Sequence, residues 1–223
     1  MAENIIWLPL SLGILIFSCI IHECAHGLVA YWLGDPTAYR QGRITLNPIP
    51  HIDLKMTLIF PLILYIITAL SGRPLIFGGA KPVPINPYNF KNPEKDDLWA
   101  TLAGPFSNVI LTFIAFSFLY VFAMIISSGV ITDAILIKMG IRFLSLAITI
   151  NLMLALFNLI PIPPLDGSWV LQYFLSWRMK ETFERIRPFG MFILIAVLLS
   201  GGLDFLSVIL YKFESFLFSL LPL

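Results

Sequence analysis

Charge is what this chain has least of. Lysine, arginine, aspartate and glutamate make up 12% of its 223 residues, about half the share usual in a soluble domain. With a mean hydropathy of +0.89, too little polar surface remains to cover a water-soluble fold, so the chain reads as a polytopic membrane protein. The charges nearly cancel, to a formal net of +1, which excludes the basic footprint of a nucleic-acid-binding protein. The two cysteines, Cys19 and Cys24, fall in one apolar segment, so no disulfide framework is indicated. The start of the chain carries Glu3 and no basic residue before the apolar run. A cleavable signal peptide has a basic start, so the first segment is expected to stay in the mature protein. No repeat, low-complexity tract or appended soluble domain is visible. Histidine is scarce too, with three in all.

Two of those three sit together, in His22-Glu23-Cys24-Ala25-His26, inside an apolar run from Ile5 to Leu33. On an α-helix, residues four apart lie one turn apart on nearly the same face. Two imidazoles at that spacing can grip one zinc ion. Glu23, next to the first of them, reaches a water on the metal rather than the metal itself. The bland alternative, two hydrogen-bonded core histidines, is disfavoured because ionisable groups in a membrane helix are costly and usually functional. Cys24 projects from another face and reads as packing.

Taken in order, residues 5–33 predict a first membrane helix ended by Gly34-Asp35-Pro36. Residues 38–47 read as a short strand or hairpin, broken by Asn47-Pro48-Ile49-Pro50. The apolar stretch 56–71 holds Pro61 and spans only roughly 24 Å as a helix, short of a ~30 Å hydrocarbon core. A stiff loop rich in Pro and Gly follows over 72–97. Long helices are expected over 98–127 and 134–160, a short one over 168–177, then a basic turn and a last span over 189–211 interrupted by Gly201-Gly202. The fold class expected is an all-α polytopic membrane protein. It has about five to six membrane helices and a short β-hairpin or re-entrant insertion after the first. It is one domain, 1–223, with core 5–177, insertion 34–97 and C-terminal helices 178–223.

A catalytic zinc usually has three protein ligands and one open position. Most acids of the chain lie at helix ends or in charged loops, where solvation explains them. Asp166 differs, because it follows a helix broken by Pro161, Pro163 and Pro164 and precedes Gly167. Irregular backbone at membrane depth is tolerated only around a buried or wet site. Asp166 is therefore the favoured third ligand, with His51 and Asp53 as the alternatives.

Three stretches, His22-Glu23-Cys24-Ala25-His26, Ala103-Gly104-Pro105-Phe106-Ser107-Asn108 and Asn158 through Gly167, occur in an order and spacing that resembles the site-2 protease family of intramembrane zinc metalloproteases. The resemblance covers about residues 15–170. The stretches 43–53 and 78–86 resemble a small bacterial and archaeal branch of it, without PDZ or CBS domains. The resemblance implies one Zn2+ per chain held by His22, His26 and Asp166, with Glu23 as general base. Asn158 would position substrate or stabilise the oxyanion. It also implies peptide-bond hydrolysis in single-span membrane proteins or signal-peptide-like segments. A helical substrate must be unwound before it is cut, and an exposed strand in 38–47 could hold it by edge addition. For His51, a hydrogen bond to a nearby carbonyl is preferred to a place in the site.

The zinc reading constrains topology. His26 and Asp166 must meet at one depth, which a full crossing by 56–71 would prevent. That stretch is therefore expected to be re-entrant or to stay within the bundle. Eleven of the fourteen basic residues then lie on the side of the site. The positive-inside rule directs the site towards the cytoplasm, in a multi-pass protein of a bacterial or archaeal cell membrane. Rival readings are a membrane pseudoprotease that binds helices without cutting, another type of membrane zinc protease, and a zinc transporter. The partners expected are the lipid bilayer and membrane-protein substrates, with no nucleic acid.

Overall fold

The computed structural model of the chain describes residues 2–53, 59 and 79–222. Eight α-helices run through them: α1 (Ala2–Trp32), α2 (Thr37–Arg40), α3 (Pro93–Ser127), α4 (Ala134–Asn158), α5 (Asp166–Phe174), α6 (Trp177–Ile186), α7 (Gly190–Leu199) and α8 (Asp204–Ser219). Three are long and apolar enough to cross a membrane: Pro9–Trp32 within α1, α3 and α4. A fourth span is formed if the bent pair Trp177–Leu199 and Asp204–Ser219 counts as one. The chain is thus an all-helical membrane protein with three to four such spans among the described residues, where five to six were expected. The apolar stretch 56–71 lies outside the described residues, except for Ile59.

The core is α1, α3 and α4, with α3 packed against both others. Without a hydrophobic force between helices in lipid, close packing and polar contacts hold them together. The pairings His22 with Asn108 and His26 with Ala100 make α3 antiparallel to α1. The pairings Asn108 with Asn151 and Phe122 with Gly140 make α4 antiparallel to α3. Ala115, Leu119, Ile148 and Leu217 fill the centre between α3, α4 and α8. Phe157, Ile160, Leu165, Leu194 and Leu206 seal the end where α4 gives way to α5, α7 and α8.

The expected strand or hairpin over 38–47 is not there, and no strand occurs among the described residues. Thr37–Arg40 is helical instead, and Gly42 ends that helix at φ +63°. The Gly42 N–H donates to Tyr39 O at 3.0 Å and the Arg43 N–H to Ala38 O at 2.9 Å. This is a glycine-based helix stop, and it takes the amides a ladder would need. Asn47 then accepts from the Ile49 N–H at 3.1 Å and opens a 3-10 turn over Ile49–His51.

Asp35 was read as a solvated helix-end charge, yet it is fully buried. It accepts hydrogen bonds from the Thr37 N–H at 3.0 Å, the Asn86 N–H at 2.7 Å and Asn89 Nδ2 at 2.7 Å. It thereby fastens the end of α1 to the segment leading into α3. Nearby, the Lys81 N–H donates to His51 O at 2.8 Å, and Arg43 Nη2 donates to Lys81 O at 2.6 Å. Residues 35–53 and 79–92 are therefore laced together at one end of the bundle.

The last span, expected over 189–211 with an interruption at Gly201-Gly202, is broken there into α7 and α8. Gly201 sits at φ +76° in the turn after α7, and the two parts are bent by 70°. At the other end of α7, a Cβ on Gly190 would lie 2.4 Å from the Pro163 side chain, so only glycine lets α7 start against the loop before Asp166.

Candidate metal centre

α1 carries His22 and His26 on one face, and both are buried. α3 crosses that face at Gly104. A Cβ there would come within 2.3 Å of His26 Nε2 and 2.6 Å of His22 Nε2. The glycine thus leaves room between the rings and α3. Asp166, in the first turn of α5, brings Oδ2 to 3.0 Å from His22 Nε2 and 3.4 Å from His26 Nε2. The two Nε2 atoms are 3.0 Å apart. A helix N-terminus favours a carboxylate there. Among the described residues, His22, His26 and Asp166 are the group whose donor atoms converge tightly enough for a metal ion.

The far side of each ring fixes what the near side offers. His26 Nδ1 lies 2.8 Å from Ala100 O. A carbonyl only accepts, so Nδ1 carries a proton, and in the neutral ring that binds a metal Nε2 is the bare nitrogen. His22 Nδ1 lies 2.6 Å from Asn108 Oδ1, with the same consequence. With both rings neutral, three electron-rich atoms then face each other at 3.0–3.4 Å. Such a cluster calls for a cation. Donors about 2.0–2.1 Å from a tetrahedral zinc ion are about 3.3 Å apart, so the spacing fits zinc.

Glu23 follows His22 on α1, and its Oε2 accepts the Val83 N–H at 2.8 Å. Val83 lies between Pro82 and Pro84, in the proline-rich segment before α3. Glu23 and Asn158 line one cavity with the three converging residues, of about 770 Å3. Asn158 donates one amide hydrogen to Leu154 O at 3.0 Å, one turn back on α4. Its amide carries a second.

His51 stays outside this group. It is buried, with Nε2 2.9 Å from Thr45 O and 4.0 Å from Cys24 Sγ. Asp53 is not in the converging group either. Cys24 donates to Thr45 O at 3.1 Å, and both cysteines are free thiols. The sequence reading missed Asn108 as the partner of His22, Ala100 as the partner of His26 and the Val83 amide on Glu23. Asn108 had a signal: it is an amide in the middle of an apolar helix, where a polar group needs a reason. The two backbone partners had none.

Comparison with known proteins adds a family. The model of peptidase family M50 matches residues 10–201. The "Putative zinc metalloprotease YwhC" of Bacillus subtilis (strain 168) is 36% identical over 201 residues, covering 88% of this chain and 84% of that protein. The "Putative zinc metalloprotease Rip2" of Mycolicibacterium smegmatis is 26% identical over 201 residues, covering 89% and 71%. The "Putative zinc metalloprotease MJ0611" of Methanocaldococcus jannaschii is 36% identical over 102 residues, covering 44% and 47%. No solved structure matches the chain.

Proposed function

The chain belongs to peptidase family M50, the site-2 protease family, and from that premise we propose that it hydrolyses a peptide bond within or near a transmembrane helix of its substrate. It is a membrane zinc metalloprotease. The observation that carries the finer reading is the meeting of His22, His26 and Asp166 in a cavity walled by membrane-length helices.

In this reading His22 Nε2, His26 Nε2 and Asp166 Oδ2 hold one zinc ion. Zinc bound there supplies Lewis acidity, which polarises the scissile carbonyl and acidifies water. Glu23 accepts the proton of the attacking water on its carboxylate and passes it to the leaving amine nitrogen. The Val83 N–H on Oε2 fixes the orientation of that carboxylate. Asn158 turns its second N–H to the carbonyl oxygen as charge develops on it. Substrates are single-span membrane proteins or signal-peptide-like segments, unwound at the cut because a helical amide is already hydrogen-bonded. The site opens towards the cytoplasm of a bacterial or archaeal cell, since Arg40, Arg43, Lys81, Lys91 and Lys95 all belong to the end of the bundle that holds it.

The test is cleavage of a single-span model helix in liposomes. Wild type is expected to cut it. Glu23→Gln keeps zinc and loses at least ~100-fold in rate, as expected on removing a positioned general base. Asp166→Ala loses most of its zinc. Turnover by Glu23→Gln at the wild-type rate would move the base elsewhere. Zinc at full occupancy in Asp166→Ala would remove Asp166 from the ligand set.

A further inference from the structure

Asn151 lies on α4, a helix that carries no metal ligand, and it is buried. Its Nδ2 is 2.9 Å from Ala147 O, and its Oδ1 accepts from Asn108 Nδ2 at 3.1 Å. We propose that Asn151 is a positioning residue for the metal centre: acting through Asn108, it fixes which nitrogen of His22 is left bare for the metal.

One group in the relay cannot change role. Ala147 O is a backbone carbonyl, so the end of Asn151 facing it must be the NH2 group. The other end, facing Asn108, must then be oxygen. An oxygen requires a donor, so Asn108 presents its own NH2 to Asn151 and its own oxygen to His22. That oxygen lies 2.6 Å from His22 Nδ1, so Nδ1 must carry the proton. In the neutral ring Nε2, on the opposite side, is left with its lone pair towards His26 and Asp166. Every link is forced by the one before it, and the chain runs through three helices from one carbonyl of α4 to one nitrogen of α1.

Without Asn151 the link breaks at Asn108. A flipped amide would point NH2 at His22 Nδ1, and the proton would move to Nε2, where it blocks the metal. His26 needs no such relay, because Ala100 O holds its Nδ1 directly. The two imidazoles are therefore set by different means, one by backbone and one by a side-chain relay that substitution can cut.

This inference rests on His22 being a metal ligand. The test measures zinc dissociation constants of detergent-solubilised Asn108→Leu, Asn151→Leu, the double variant and wild type, by competition with a chromophoric chelator. Thermal melting of the metal-free proteins shows that each is folded. Asn151→Leu is expected to weaken zinc binding about 10-fold, the size usual for a group that orients a ligand. The double variant should bind no worse than Asn108→Leu alone, because the two amides act as one unit. Unchanged affinity in Asn151→Leu overturns the proposal, and so do losses that add in the double variant. If Asn151→Leu does not fold, Asn151→Ala takes its place. His22→Ala measured alongside separates the premise from the relay: wild-type zinc affinity in that variant removes His22 as a ligand, whatever Asn151 does.

Discussion

Single residues set the site as much by what they leave out as by what they bring. Gly104 contributes no side chain, and a Cβ there would stand 2.3 Å and 2.6 Å from the two Nε2 atoms. Those distances are close to a metal–nitrogen bond, so the methyl group of alanine would compete with the ion for its position. Gly104→Ala should fold, because the methyl meets only the tips of two imidazoles, and should carry far less than one zinc per chain by elemental analysis. Full zinc content in that variant would mean that α1 and α3 stand further apart than here. The sequence showed His22 and His26 through helical spacing, and Asp166 through the proline-broken backbone before it. It did not show Gly104, Ala100 or Val83, because their roles depend on which helix lies across α1. Spacing along one chain does not encode that.

Between the residue and the bundle, the elements depend on how the helices are stopped. Gly34, at φ +111°, closes α1. There the Gly34 N–H donates to Tyr31 O at 3.1 Å and the Asp35 N–H to Ala30 O at 2.9 Å. Gly42 closes α2 in the same way. The first stop was legible because a long apolar run preceded it. The second was not, because α2 is one turn long and Ile44-Thr45-Leu46 beyond it alternates as a strand would. Asp35 follows the first stop and accepts from three neighbours, Thr37, Asn86 and Asn89. Burial pushes its carboxyl pKa up, but the hydrogen bonds from Thr37, Asn86 and Asn89 outweigh this and hold it below the ordinary carboxylate value. A carboxylate lowered on folding adds stability that is present above its unfolded pKa, near 3.9, and is lost as pH falls through the folded value. The anchor is therefore intact at neutral pH and weakens only in acid below about 4. Asp35→Ala leaves the Asn86 N–H without its acceptor, while Asn89 Nδ2 keeps Thr37 Oγ1, and should cost about 1–2 kcal/mol. Hydrogen exchange over 80–90 is the measurement. Protection there should fall in Asp35→Ala at neutral pH, and in wild type only in acid. Equal protection in both proteins at neutral pH would mean that the segment is held by other contacts.

For the whole molecule, the question is how many times the chain crosses between the two halves of the site. α1 ends at the metal centre, α3 starts there, α4 returns to it and α5 begins beside it. Any odd number of crossings between α1 and α3 would put Gly104 at the far end of the bundle from His26, whereas the two are in contact. The described residues on both sides of 54–78 agree with this. Lys81 bonds to His51 and Arg43 to Lys81, and Asp35 holds Asn86 and Asn89, all at the same end. The described residues that flank the intervening stretch, 35–53 and 79–92, thus lie at one end of the bundle. Gln41 and Asn92 are both exposed and lie on either side of it. Cysteines placed singly at these positions, with Cys19 and Cys24 replaced by alanine, should react with an impermeant thiol reagent from one and the same side of the membrane. In the proposed orientation that side is the cytoplasmic one. Labelling of the two positions from opposite sides would mean that 54–78 crosses once, and Asp166 could then not share a metal with His22 and His26. Labelling of both from outside would keep the shared site and reverse only its orientation.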